Sequence, residues 1–334
     1  MFIRLATLVF LLSTGVVLGQ GCCSGGAANP IAGGAATGVL QKNQMEISGN
    51  YQIMNSDKFF SGNKDTSKLF NNLNSNYLFL RTDYGLSEKL TLSIASGYFL
   101  NKTLIGIENN DTTNSSGVSD LIILPRFDVF NNLNERTKTE LTLGLGMKVP
   151  LGSHSDSTLI FSHNIIGDIY NINPPTVQNT NGSLDMVYYA FFFRSYIKKK
   201  IRIFTNMLYI NRGFNSLGQK FGDYASLGLF VGKTFFKKIG VTNQIRMEWL
   251  GKMEAAENID LLGNYNIEQA STGSSKVFIV PQISYINKSI IFYITGEIPV
   301  YQNVNGTQVG SNLQITSGIN YRFFTKKQPE CEVE

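Results

Sequence analysis

Few residues in this chain have the types and spacing that chemistry demands. Its three cysteines, Cys22, Cys23 and Cys331, stand near the two ends. In an oxidising compartment Cys331 would form a disulfide with Cys22 or Cys23, leaving one thiol over. The same three thiolates could instead hold a soft metal ion, and both readings stay open. The two histidines, His154 and His163, flank a polar segment that contains Asp156. No nucleophile elbow and no base-to-orienter spacing accompanies them, so a solvated loop is the simpler reading and no enzyme is expected. With neither a Gly-rich phosphate loop nor a metal-ligand spacing, the sequence implies no cofactor.

Charged residues make a larger set: Glu46, Arg81, Asp83, Asp120, Arg126, Asp128, Glu140, Lys148, Arg246, Glu248, Glu297 and Arg322. Their meaning depends on the elements that carry them. From Met45 onward the dominant period is two, the period of a strand with one polar and one apolar face. Met45, Ile47, Tyr51 and Ile53 point one way, and Glu46, Ser48, Asn50 and Gln52 the other. Near the C-terminus Leu313, Ile315, Ile319, Tyr321 and Phe323 share a face, opposite Gln314, Thr316, Asn320 and Arg322. Ten more strands fall near 75–85, 89–100, 118–130, 138–149, 183–197, 201–211, 223–235, 240–251, 275–287 and 289–299.

The connections keep a beat. Short ones (Leu86–Glu88, Asn131–Thr137, Lys198–Lys200, Phe236–Ile239, Lys288) alternate with long ones (Asn55–Asn74, Asn101–Gly117, Pro150–Gly182, Arg212–Gly222, Lys252–Ser274, Val300–Gly310). Short periplasmic turns alternating with long external loops are the pattern of outer-membrane barrels. The expected fold is therefore all-β: a closed antiparallel transmembrane β-barrel of about twelve strands over residues 42–324. Closure follows from solvation, because an open sheet edge in lipid strands its backbone polar groups without partners. The first strand should pair with the last. Polar, Asn- and Ser-rich loops such as Glu108–Ser116 suit a solvated surface, and Lys252–Leu262 is the one stretch that could hold a short helix.

On such a barrel the twelve charged residues face the lumen. Mixed signs fit either a polar path for a solute or a cross-braced interior of paired charges, and bracing is the better reading for most of them. The ending Gly318, Tyr321, Phe323 resembles the aromatic signal read by the barrel-assembly machinery, although residues 325–334 follow it as a periplasmic tail.

Composition agrees. Charged residues are 16% of the 334, against roughly 25% in a soluble domain, while aromatics reach 12%. A signal peptide is expected over residues 1–19: Arg4 supplies the positive charge, Leu5 to Val17 the apolar stretch, and Val17 and Gly19 the positions before a cut at Gln20. Removing Arg4 lowers the formal charge from +5 to +4. The remaining basic residues are scattered as pairs at short turns, which argues against a nucleic-acid partner. Cys22 lacks the apolar residue three places earlier that lipidation requires, since Gly19 stands there. Residues 20–41 are rich in Gly and Ala and read as a linker more readily than as a plug. No later stretch approaches eighteen consecutive apolar residues. The expected setting is the outer membrane of a Gram-negative cell, with its lipid as the immediate partner.

Several segments resemble the outer-membrane family named for phenol-degradation meta-pathway transporters, over most of residues 40–324. Gly117-Val-Ser-Asp120-Leu resembles its G-x-G-D-L strand opener, with Ser119 for the second Gly. Gly144 to Gly152 resembles a strand that ends in a Pro-Thr-Gly turn, with Leu151 for Thr. Thr180 to Asp185 matches a G-t-G-s-x-D segment at Gly182, Ser183 and Asp185, and Ile298 to Gln308 resembles the last external loop. The resemblance implies a barrel that passes small, apolar molecules, with the particular solute left open. Two other functions compete: a structural or adhesive barrel working through its external loops, and a metal-handling barrel using Cys22, Cys23 and Cys331.

Overall fold

A computed structural model describes residues 38–107, 112–164 and 167–326. The expected signal peptide, the three cysteines and most of the Gly/Ala-rich segment and the C-terminal tail lie outside the described residues. Twelve strands build the barrel: β1 (Gln44–Ser56), β2 (Asn72–Gly85), β3 (Leu90–Ile105), β4 (Asp120–Leu133), β5 (Thr137–Pro150), β6 (Asp185–Tyr196), β7 (Ile201–Asn211), β8 (Tyr224–Phe235), β9 (Ile239–Leu250), β10 (Ser274–Asn287), β11 (Ile290–Val309) and β12 (Gln314–Phe324). Each pairs antiparallel with its neighbours in sequence, and β1 closes the sheet on β12 with Glu46 opposite Arg322 and Gln52 opposite Thr316. The described ends meet at one rim, where Thr325 N donates to Asn43 O at 2.9 Å. No described helix is long and apolar enough to cross a membrane.

Alternation sorts the side chains. Ile47, Leu80, Ile94, Leu143, Met207, Val231, Ile279 and Ile315 are exposed on the outer wall, while their strand neighbours Glu46, Arg81, Ser93, Thr142, Asn206, Val280 and Thr316 turn inward. A continuous belt of exposed apolar side chains around the whole sheet is untenable in water and favourable against hydrocarbon. At the short turns the chain accepts left-handed backbone without glycine. Phe236 and Lys237 both have positive φ, 49° and 59°, the conformation of a hairpin turn whose twist matches its strands.

At the opposite rim the connections are more ordered than solvated loops. Phe59–Gly62 pairs with the far end of β11, extending the wall beyond the barrel. Ser157–His163 and Gly167–Ile172 form a separate hairpin. The short helix, α1, spans Leu261–Tyr265, later than the Lys252–Leu262 stretch suggested by the sequence, because Asp260 supplies the cap and accepts from Leu262 N. The loop of 151–184 is a clearer correction. Its later half, residues 173–180, turns into the barrel mouth, where Thr176 and Val177 are wholly buried.

Candidate functional site

The interior has two unlike walls. One is polar. β1 turns Glu46, Ser48, Asn50 and Gln52 inward, and β12 turns Gln314, Thr316 and Asn320, all buried. Ser48 Oγ, Thr316 Oγ1 and Asn320 Oδ1 make no hydrogen bond within the protein, so their bonding capacity is left to water or solute.

Charged residues are gathered into clusters. Arg81 bridges Glu46 at 3.3 Å and Asp83 at 2.9 Å; Arg126 adds a second contact to Asp83 at 3.0 Å, and Arg322 bonds Glu46 at 2.7 Å from the exposed rim. Arg246 holds Glu297 through both nitrogens of its fork, at 2.7 and 3.0 Å, and Glu248 at 3.0 Å, with Tyr224 donating to Glu248 at 2.9 Å. Lys148 sits between Asp120 at 2.8 Å and Asp185 at 2.9 Å. Asp128 accepts from Asn131 at 3.1 Å. Glu140 is drawn to the N-terminal segment, accepting from Val39 N at 3.1 Å. Such bidentate and shared pairings offset the desolvation that isolated buried charges would suffer.

The other wall is apolar, and alternation does not reveal it. β6 points Val187, Tyr189, Phe191 and Phe193 inward; β7 adds Phe204, Leu208 and Ile210; β2, β3 and β4 add Tyr77, Phe79, Phe99 and Leu124. These side chains form one contiguous cluster. Tyr77 and Phe99 lie 4.4 Å apart, centroid to centroid, and Phe204 stacks on Phe230 at 4.2 Å. The available sequence signal is that Asp185–Tyr196 (DMVYYAFFFRSY) is apolar on both faces, which a lipid-facing strand with a polar lumen does not require.

Both ends of the interior are narrowed. At the rim of the termini Gly38–Leu40 lies against the inner wall: Arg126 donates to Gly38 O at 2.9 Å and Leu40 N to Thr91 Oγ1 at 2.8 Å. Residues 38–40 therefore behave as part of the interior, where the sequence favoured a linker. A cavity of about 280 Å³ remains beside them, lined by Phe193, Phe230, Arg202 and Tyr293. At the other end the 151–184 loop is tied down by Lys102 Nζ, which donates to Gln178 O at 2.6 Å, and by Asn179 Nδ2, which donates to Ser116 O at 3.0 Å; Ser115 Oγ also contacts Val177 O. A smaller cavity of about 80 Å³ lies under this loop. His154 bonds Ser216 at 2.8 Å in the same loop layer.

On the outer wall Tyr321 and Phe323 stack at 4.9 Å near the end of β12. Gly318, in the same segment, faces inward and seats the Tyr293 ring, whose oxygen would lie 2.3 Å from an added Cβ. A concavity of about 890 Å³ also opens outward, rimmed by Leu143, Tyr188, Met207, Met247 and Trp249; it belongs to the lipid-facing surface.

No family model matches this chain, and no curated protein matches it either. Solved structures do. The chain is similar to the COG4313 outer membrane channel from Pseudomonas putida F1, with a TM-score of 0.63 and 13% identity over 86% of this chain and 97% of that one. It is more loosely similar to the KdgM porin (TM-score 0.42, 8% identity, 83% and 99% covered). The TodX deltaS2S3 mutant monoaromatic hydrocarbon channel is comparably distant (TM-score 0.41, 9% identity, 85% and 91% covered). The fold is that of outer-membrane β-barrels. An apolar exterior on a closed sheet independently requires a membrane setting.

Proposed function

We propose that this protein is an outer-membrane channel for small, apolar molecules. The observation that carries the reading is the contiguous apolar wall inside the barrel, from Phe99 and Tyr77 through Tyr189 to Phe204. A barrel needing only rigidity could brace every strand with polar side chains. An aromatic wall opposite a hydrated one gives an apolar solute a surface to follow and leaves water the other side. The sequence resemblance to phenol-degradation meta-pathway transporters supports the same reading.

The test is uptake by a porin-deficient strain expressing the protein, with an intact lipopolysaccharide leaflet as the barrier. A small neutral aromatic alcohol should enter faster than in cells carrying an empty vector, and faster than a pentose. Phe204→Asp should erase that preference. Uptake equal to the empty vector would defeat the channel reading.

The adhesive alternative rests on the hairpin of residues 157–172, where Leu159, Phe161, Ile169 and Tyr170 are exposed beyond the barrel. Deleting it should spare uptake if the protein is a channel and abolish attachment to surfaces if it is an adhesin.

A further inference from the structure

The cavity beneath the 151–184 loop contains a charge that the barrel does not neutralise. Arg212 follows β7 directly and is 7% exposed. Its Nε has no hydrogen-bond partner, and among the described residues no carboxylate lies within ion-pair distance of its guanidinium. Every other deeply buried arginine in the barrel is held: Arg81 by Glu46 and Asp83, Arg126 by Asp83, Arg246 by Glu248 and Glu297. An unpaired buried cation is strongly unfavourable unless something else compensates it.

Neighbouring groups do not supply that compensation. Asp223 accepts from the backbone N–H of Arg212, and its carboxylate is otherwise taken by Tyr209 and Asn211. Asp120 and Asp185 are both engaged in ion pairs by Lys148, Asp120 through Oδ2, while Asp120 Oδ1 is buried without a hydrogen bond. Lys102 is satisfied by a neutral carbonyl, that of Gln178, which leaves its charge standing. Three cations, Lys102, Lys148 and Arg212, thus meet two anions, Asp120 and Asp185, for a net charge of +1. Asn181 Nδ2, a second donor lining this cavity, is likewise buried without a partner.

Size and lining narrow the class of anion. About 80 Å³ holds two or three waters at about 30 Å³ each, and benzene fills cavities of about 150 Å³, so an aromatic ring is too large. Tyr77, Phe99, Ile122, Ile210 and Phe221 form the apolar side of the cavity and belong to the same cluster as the lumen wall. We infer that this cavity is a recognition site for a short monocarboxylate of about two or three carbons, its carboxylate on Arg212 and Asn181 and its alkyl end against the apolar side. The inference goes beyond the channel reading: it names a charged ligand held at the external mouth, distinct from the apolar solutes of the lumen wall, and its binding is measurable without passage.

Propionate titrated into the detergent-folded protein, followed by saturation-transfer NMR, tests it, with propionamide as the neutral isostere. Propionate should bind about tenfold to a hundredfold more tightly than propionamide, the difference expected for a charge-assisted pair. Arg212→Gln should lose that margin, and Arg212→Lys should keep most of it. Heat-modifiable gel migration identifies variants that have folded. Equal binding of acid and amide by the wild-type protein would overturn the site, as would a folded Arg212→Gln that still prefers propionate. Inorganic phosphate binding as well as propionate would overturn the alkyl recognition. Failed uptake together with retained propionate binding would remove the channel reading alone.

Discussion

The inner wall formed by β12 and β1 and the one formed by β6 and β7 solve the same problem by different physics. Both must fill the inside of a narrow barrel. On β12 and β1 cohesion is polar: Glu46 is shared by Arg81 and Arg322, and hydroxyls and amides line the rest. On β6 and β7 it is dispersion and ring packing, with Phe191 and Phe204 6.1 Å apart and Phe204 stacked on Phe230. A polar wall needs each charge matched at its own position, so it is specific and brittle. An apolar wall is non-directional and tolerates rearrangement, as a surface for passing solutes should.

That contrast can be broken most decisively at Arg246, whose cluster braces the polar part of the wall on β9 and β11. Arg246→Met leaves Glu248 and Glu297 buried without their cation and should cost about 3–5 kcal/mol of barrel stability in a urea titration. Replacing all three by apolar residues of similar volume should recover most of the loss. On the apolar wall Leu208→Ala should cost less, toward the lower end of about 2–5 kcal/mol, because the lumen side lets neighbours relax. If Leu208→Ala proves the more damaging, the two walls are not held as described.

A smaller effect separates inside from outside on one strand. Ile315 is exposed on the outer face of β12, and Thr316 beside it is buried inward with its hydroxyl unpartnered. Ile315→Arg sets a cation against hydrocarbon and should cost about 2–4 kcal/mol near the midplane. Thr316→Val removes no bond within the protein and should stay within about 1 kcal/mol. Assembly yield and urea midpoint measure both, and the reverse order would invert the facing of the whole strand.

The polar wall was legible in the sequence and the apolar wall was not, for a physical reason. Alternation reports a difference between two faces. β1 and β12 have lipid on one side and polar groups on the other, so Glu46, Ser48, Asn50 and Gln52 stand out among their apolar neighbours. In β6 both faces are apolar, and period two vanishes although the strand is there. The pairing of β1 with β12 was readable because solvation demands closure. Arg212, Lys102 and Asp185 carry no periodic signal of a site, because two of them stand in apparent connections and Asp185 in a motif at the start of a strand. A loop's inward fold leaves no periodic trace. The turn of the 151–184 loop into the mouth depends on contacts distant in sequence, such as Lys102 with Gln178, and no local pattern encodes those.

The smallest effect lies where the apolar wall passes into the cationic cavity. Asp223, in the connection before β8, takes hydrogen bonds from Tyr209 Oη at 2.7 Å, Asn211 Nδ2 at 3.1 Å and Arg212 N at 2.9 Å. Partial burial works against its charge, but these donors outweigh it and hold the carboxyl below the usual 3.8. A group whose folded pKa is depressed contributes stability that is complete above its unfolded value and disappears as pH falls through the folded one. The anchoring of Arg212 should therefore be constant above pH of about 5 and weaken below about 4. Hydrogen exchange at the Arg212 amide, corrected for its intrinsic pH dependence, should show protection falling in that window. Asp223→Asn keeps one acceptor oxygen but has no proton to gain there, so its protection should be lower throughout and independent of pH. The same acid-dependent loss in the Asn variant would mean that another group, nearer the polar wall, sets the position of Arg212.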